Sequence, residues 1–139
     1  MPCLEISLPR TDLAVKHSLT ATLTDIGVDV AGFNREVFRI RFHEYGVGDA
    51  GMAGKLWDGE NNPYLHFLLY CPRLRRSVKQ RLIEEMSKAF VDVLGKPDWF
   101  PVFHICEHPY DNIGASGMPL AEKYPEVRDR QFYFDLPKD

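Results

Sequence analysis

An α/β domain made of two β-α-β units is the fold that this sequence predicts, with a four-stranded sheet and both helices on one face. Four short segments alternate between apolar and polar residues, a period of two that is typical of strands. Two longer segments repeat their apolar residues every three or four positions, which indicates helices with one buried face. The order strand, helix, strand occurs twice, and a crossover helix between two strands predicts that they pair in parallel.

The first unit begins with a strand at residues 3–8, whose apolar side chains all fall on one face. Thr11 or Asp12 is placed to cap an amphipathic helix that we expect to end at Gly27. A second strand is predicted at residues 37–44, and a glycine-rich loop follows it.

The second unit has the same plan. Strands are predicted at residues 64–71 and 102–107. Between them, Ser77 and Gln80 have the spacing of a capping box and predict a helix that ends at Gly95.

A shift of 63 positions aligns the two units without a gap. It superimposes Pro9-Arg10 on Pro72-Arg73 and Val15-Lys16 on Val78-Lys79, together with the apolar faces of both strands and both helices. We interpret residues 1–139 as a single domain with a duplicated unit. Its parts are a first unit at about residues 2–45, a second at about 64–108, and a C-terminal extension at 109–139 that predicts loops with one short extended piece at 130–134.

Composition narrows the class of protein. The chain has 139 residues, of which 45% are hydrophobic, and this is enough to bury one core of ordinary size. A net charge of -3, spread along the chain, argues against nucleic acid as a partner. Since no apolar run is long enough for a signal peptide or a membrane span, we expect a soluble, cytoplasmic protein. The three cysteines are far apart, which favours reduced thiols over disulfides.

The face of the sheet that the helices leave uncovered is predicted to be mixed in polarity. Its residues are Cys3, Glu5, Ser7, Arg39, Arg41, His43, His66, Leu68, Tyr70, Val102, His104 and Cys106. A face of this kind, between edge strands that nothing covers, usually meets other subunits. We therefore expect a closed oligomer in which Glu5 pairs with Arg39 or Arg41.

Pro2 is the candidate catalytic residue. A start methionine that precedes proline is easily trimmed, and Pro2 would then carry a free secondary amine at the end of a strand. An amine that is desolvated beside cations loses its proton near neutral pH and can act as a general base. The alternative, which the residue by itself leaves open, is that this proline has no function.

Together, the proline, the two units and the arginines that follow the first strand of each unit resemble the tautomerase superfamily. The resemblance covers about residues 2–108. It implies that Pro2 acts as general base or acid, without a cofactor, on a small unsaturated or α-keto carboxylate. It also implies that a chain of two units assembles as a homotrimer.

Two short runs carry the resemblance to the substrate-binding residues of this family. The run Pro9-Arg10-Thr11-Asp12 is similar to Gly-Arg-Ser-Asp in 4-oxalocrotonate tautomerase, and Arg73-Leu74-Arg75 is similar to Arg-x-Arg in malonate semialdehyde decarboxylase. The resemblance implies that Arg10, Arg73 and Arg75 bind a substrate carboxylate. A guanidinium suits this role, because it is permanently charged and donates two parallel hydrogen bonds.

The chain lacks catalytic residues that two other kinds of enzyme in this family have. Asn34 and Arg35 stand where the decarboxylase has an aspartate. Gly27, His104 and Ala115 stand where proteins of the cis-3-chloroacrylic acid dehalogenase type have histidine, tyrosine and glutamate. The first difference argues against decarboxylation. The second argues against hydrolytic dehalogenation, unless His104 or Glu107 substitutes for the missing acid or base. We include His104 among the substrate contacts.

Tautomerisation needs no more than a base and cationic groups that bind the carboxylate. Two alternatives remain open. One is a decarboxylase, dehalogenase or hydratase on the same scaffold, and the other is a non-catalytic trimer that serves in binding or signalling. His104, Cys106 and His108 project to one side of the fourth strand, but strand alternation alone produces such a set, and we expect no metal site.

Overall fold

The computed structural model describes residues 2–128 of the chain. The extended piece predicted at residues 130–134 lies outside the described residues. In chain order the elements are β1 (Cys3–Pro9), α1 (Leu13–Ala31), β2 (Arg39–Tyr45), β3 (Gly51–Met52), β4 (Lys55–Leu56), β5 (His66–Cys71), α2 (Arg76–Leu94), β6 (Val102–Glu107), a 3-10 turn (Tyr110–Asn112), β7 (Gly114–Ala115), β8 (Met118–Pro119), α3 (Leu120–Lys123) and α4 (Pro125–Arg128).

Four of the strands form one sheet in the order β2, β1, β5, β6. β1 pairs with β2 in parallel, and β5 pairs with β6 in parallel. The two units meet at the antiparallel pair of β1 and β5. This confirms the predicted four-stranded sheet of two β-α-β units, with strand ends that differ from the prediction by at most two residues.

The core lies between the sheet and the two long helices, which pack against each other on the same face. Its largest fully buried side chains are Leu4, Ile6, Leu8, Leu19, Leu23, Phe67, Leu69, Cys71, Leu82, Met86 and Phe90. Burial of one large apolar side chain stabilises a fold by about 1.5–3 kcal/mol, so the alternation read from the sequence accounts for much of its stability. Within the described residues, none of the helices combines the length and the apolar character that crossing a membrane requires.

The duplication extends beyond the predicted units. β3 and β4 form an antiparallel hairpin. β7 and β8 form another, and each of its residues lies 63 positions after the equivalent residue of the first. Ala53 and Ser116 stand at equivalent places in these hairpins, and both have a positive φ, 54° and 57°. Because this conformation is uncommon for residues with a side chain, its recurrence supports a common origin of the two hairpins.

Gly27 does not end α1 as predicted. The helix continues to Gly32, which adopts a φ of 68° and caps it, just as Gly95 caps α2 with a φ of 66°. Gly27 lies inside the helix at a close contact, since a Cβ there would be 3.1 Å from Phe33 Cδ2. The shift of 63 positions also relates Gly95 to Gly32, and this signal would have found the correct end.

The predicted capping box of α2 is also wrong. The helix begins at Arg76 after an N-cap at Arg75, so Ser77 lies within the first turn. Gln80 donates to Glu84 at 3.0 Å instead of returning to the helix start. In α1 the N-cap is Asp12, one of the two predicted residues, although its side chain makes no capping hydrogen bond to the residues described.

Candidate active site

Pro2 is buried at the start of β1. Its carbonyl oxygen accepts a hydrogen bond from the backbone N–H of Arg39 at 3.2 Å, which joins the residue to the first residue of β2. Pro2 lines two cavities, with volumes of about 570 Å³ and about 420 Å³. Both volumes lie in the range that small-molecule sites occupy.

The first cavity opens toward the face of the sheet that the helices leave uncovered. Its walls carry two cations, Arg39 and Arg41, and three further polar side chains. Its lining residues are Pro2, Cys3, Arg39, Ile40, Arg41, Tyr70, His108, Asn112, Ile113 and Gly114.

The second cavity lies beside the C-terminal end of α1 and combines aromatic walls with one cation. Arg73 contributes the guanidinium, and it is half-buried. The lining residues are Pro2, Ala31, Gly32, Phe33, Asn34, Val37, Pro72, Arg73, Leu74, Tyr110, Leu120 and Tyr124. The protein can thus offer a small anion a positive charge on either side of Pro2.

The sheet topology explains why these residues meet. β1 and β5 run in opposite directions, so the residue before β1 lies at the same edge as the residues that follow β5. Since β2 is parallel to β1 and β6 is parallel to β5, the start of β2 and the end of β6 reach this edge as well. Pro2, Arg39, Arg73 and His108 are brought together in this way.

Of the four predicted substrate-binding residues, only Arg73 lines a cavity together with Pro2. Arg73 lines a cavity with Pro2, whereas Arg75 is exposed at the start of α2 and lines neither cavity. Arg10 follows β1, so the length of that strand, about 20 Å, separates it from Pro2 within the protomer. His104 lies in the middle of β6, where its Nδ1 is 2.7 Å from His66 Nε2.

Pro2 is the only residue lining the first cavity that was predicted as a site residue; among the others are Arg39, Tyr70 and Asn112. Arg39 and Tyr70 were expected on the open face, but not beside Pro2. Both face Cys3 in the sheet register, which the alternation in the sequence does not specify. Asn112 belongs to the C-terminal extension, where the sequence has no periodicity that could position it.

His108 is a further polar group at this cavity. Its ring Nδ1 lies 3.2 Å from the carbonyl oxygen of Pro109. Its Nε2 is buried, and no residue among those described offers it a hydrogen bond.

Charges on the open face also affect the site. Within the protomer, Glu5 Oε1 lies 3.6 Å from Arg41 Nη1, and Glu5 Oε2 lies 3.6 Å from His43 Nε2. Burial raises the pKa of the neighbouring Cys3 thiol, and the Glu5 charge adds to this effect, while Arg41 and Arg39 oppose it. The thiol beside Pro2 is therefore held in its protonated form.

His104 of β6 and His108, which follows β6, do not converge on one point. His104 contacts His66, while His108 lies at the cavity with Pro2. Between residues 2 and 128, no three His, Cys, Asp or Glu side chains are grouped closely enough to hold a metal ion.

Neither a protein-family model nor a curated protein sequence matches the chain. Solved structures do match. Native fused 4-OT has a TM-score of 0.78 and 25% identity, over 86% of this chain and 97% of that chain. Pt0534 inactivated by 2-oxo-3-pentynoate has a TM-score of 0.75 and 23% identity, over 88% of this chain and 98% of its own. The R7 fused 4-OT asymmetric trimer has a TM-score of 0.71 and 25% identity, over 87% and 98% of the two chains.

Proposed function

Because this chain has the fold of the tautomerase superfamily, we propose that it is an enzyme that uses Pro2, freed by removal of Met1, as its general base. The observation that carries this proposal is the burial of Pro2 between two cavities that both contain guanidinium groups. The proposed substrate is a small unsaturated or α-keto carboxylate, and the proposed reaction is tautomerisation without a cofactor.

The cations favour the neutral form of the amine. A positive charge near an amine lowers its pKa, because it destabilises the protonated form. Arg39 and Arg41 line one of the cavities that Pro2 lines, and Arg73 lines the other. A neutral secondary amine can take the proton from the hydroxyl of an enol and return it to carbon, which yields the ketone.

The same arginines would bind the substrate. A guanidinium forms two parallel hydrogen bonds to a carboxylate and keeps its charge at all relevant pH values. Arg73, half-buried in the smaller cavity, is the residue we propose for this contact. One matched protein, Pt0534, is inactivated by 2-oxo-3-pentynoate, itself an α-keto carboxylate, which supports this substrate class.

A homotrimer is the assembly we propose. The open face of the sheet carries exposed Val102 beside charged groups such as Arg41. Exposed apolar surface next to polar groups is typical of subunit contacts. The matched R7 fused 4-OT structure is a trimer, which supports the same assembly here.

Replacement of Pro2 tests the function. After intact mass has verified that Met1 is absent, ketonisation of phenylenolpyruvate or 2-hydroxymuconate is measured for the wild type and for Pro2→Ala. General base catalysis contributes about 10²–10⁴ in rate, so Pro2→Ala should lose at least about a hundredfold in kcat. Pro9→Ala, at the opposite end of β1, is the matched control and should keep its activity. Full activity of Pro2→Ala would contradict the proposal and favour a non-catalytic binding protein.

A further inference from the structure

Tyr70 has a position beside the proposed base that no other aromatic residue of the sheet shares. It lies on β5 directly opposite Cys3, the residue that follows Pro2. Arg39 lies opposite Cys3 on the other side, on β2. Paired residues of neighbouring strands are about 5 Å apart and share one face, so Tyr70 and Arg39 flank the chain next to Pro2.

The phenol of Tyr70 is available to a ligand. The residue lines the larger Pro2 cavity and is 37% exposed. Its hydroxyl makes no hydrogen bond to any other residue among 2–128. A phenol that lines a cavity and has no partner there can donate its hydrogen to a bound molecule without breaking an existing contact.

The proposed reaction creates a need for such a donor. When Pro2 takes the proton of the enol hydroxyl, a negative charge develops on the substrate oxygen, and this charge disappears when the proton is returned to carbon. A donor aimed at an oxygen that gains charge lowers the barrier, because its hydrogen bond is strongest in the transition state. Arg39 and Arg41 supply positive charge in the same cavity, but a guanidinium there is also suited to the carboxylate.

We propose that Tyr70 donates a hydrogen bond to the substrate oxygen that carries this charge, and that it is a second catalytic residue of the site. This inference rests on the proposed function. Tyr70 keeps its own proton throughout, so the proton balance between the enol oxygen, Pro2 and carbon is unchanged.

Tyr70→Phe tests the inference, since it removes the hydroxyl and keeps the ring. The control is Tyr64→Phe, because Tyr64 precedes β5 at its other end and is 38% exposed, almost the same as Tyr70. Tyr70→Phe should lower kcat for enol ketonisation about tenfold to a hundredfold with little change in KM, as expected for a contact that strengthens in the transition state. Tyr64→Phe should change neither constant by more than about twofold.

A binding measurement gives a second readout that needs no turnover. The dissociation constants of phenylpyruvate and 3-phenylpropionate, which lacks the oxo group, are compared by calorimetry. The wild type should prefer phenylpyruvate, and Tyr70→Phe should lose most of that preference. Unchanged kcat and an unchanged preference in Tyr70→Phe would overturn this inference while leaving Pro2 as the base. A wild type that neither turns over the enol nor binds either acid would overturn the proposed function together with the inference.

Discussion

Glu44 and Glu107 occupy equivalent places in the two units, and their carboxylates make the same two contacts. Each accepts a hydrogen bond from a backbone N–H just before a long helix and pairs with a lysine in that helix. The contacts are Thr11 N at 2.8 Å and Lys16 Nζ at 2.7 Å for Glu44, and Leu74 N at 2.6 Å and Lys79 Nζ at 2.9 Å for Glu107. Neither N-cap side chain makes a capping hydrogen bond to its helix in the described part of the chain. In each unit, the glutamate joins the start of the helix to the sheet.

Loss of the charge on Glu107 should therefore weaken the fold. We expect Glu107→Gln to lower the free energy of unfolding by about 1 kcal/mol, because the pair with Lys79 is only about one-fifth exposed and the hydrogen bonds to it are charge-assisted. Urea unfolding followed by circular dichroism measures the change. Asp92→Asn is the control, since it removes an exposed ion pair with Lys88 and should cost less than about 0.5 kcal/mol. An equal loss in both variants would contradict the special role of Glu107.

The contact between His66 and His104 should make stability depend on pH. Burial lowers the pKa of His66, and the charge of His104 lowers it further. Since the pKa is lower in the folded than in the unfolded chain, where it is about 6.5, the unfolded state binds more protons as the pH falls below that value. Stability should therefore decrease between pH 7 and pH 5.

Urea midpoints across this pH range give the measurement. His66→Gln removes the titrating ring and should flatten the decrease. His17→Gln, at an exposed position of α1, should keep the wild-type slope. A wild-type midpoint that does not change between pH 7 and pH 5 would rule out the effect.

The two arginines after β5 should differ in their effect on substrate binding. Arg73 lines a cavity with Pro2, but Arg75 is exposed and lines neither cavity. We expect Arg73→Ala to raise KM for an enol carboxylate about tenfold to a hundredfold, as loss of a charge-assisted hydrogen bond implies. Arg75→Ala should change KM by no more than about twofold. If steady-state kinetics gave a larger rise in KM for Arg75→Ala than for Arg73→Ala, the carboxylate would bind outside this cavity.

The sequence by itself determined the architecture. Alternation in the strands and the helical period show which face of each element is buried, and both patterns can be recognised within a short stretch of sequence. For this reason β6 and the end of α2 at Gly95 were predicted without error. The duplication, which a shift of 63 positions reveals, predicted that both helices cover one face of the sheet. The resemblance to the tautomerase superfamily is confirmed at the level of the fold.

The tertiary structure alone decided where α1 ends and which residues surround Pro2. Gly27 has the residue type of a helix end, but contacts with Phe33 and Phe38 explain a glycine inside the helix. Arg39 and Tyr70 reach Pro2 only because β1 pairs with β2 on one side and with β5 on the other. Arg39 and Tyr70 are both more than thirty positions from Pro2. The order of the elements predicted that β1 pairs with β2, but local periodicity sets neither the register of that pair nor the pairing of β1 with β5.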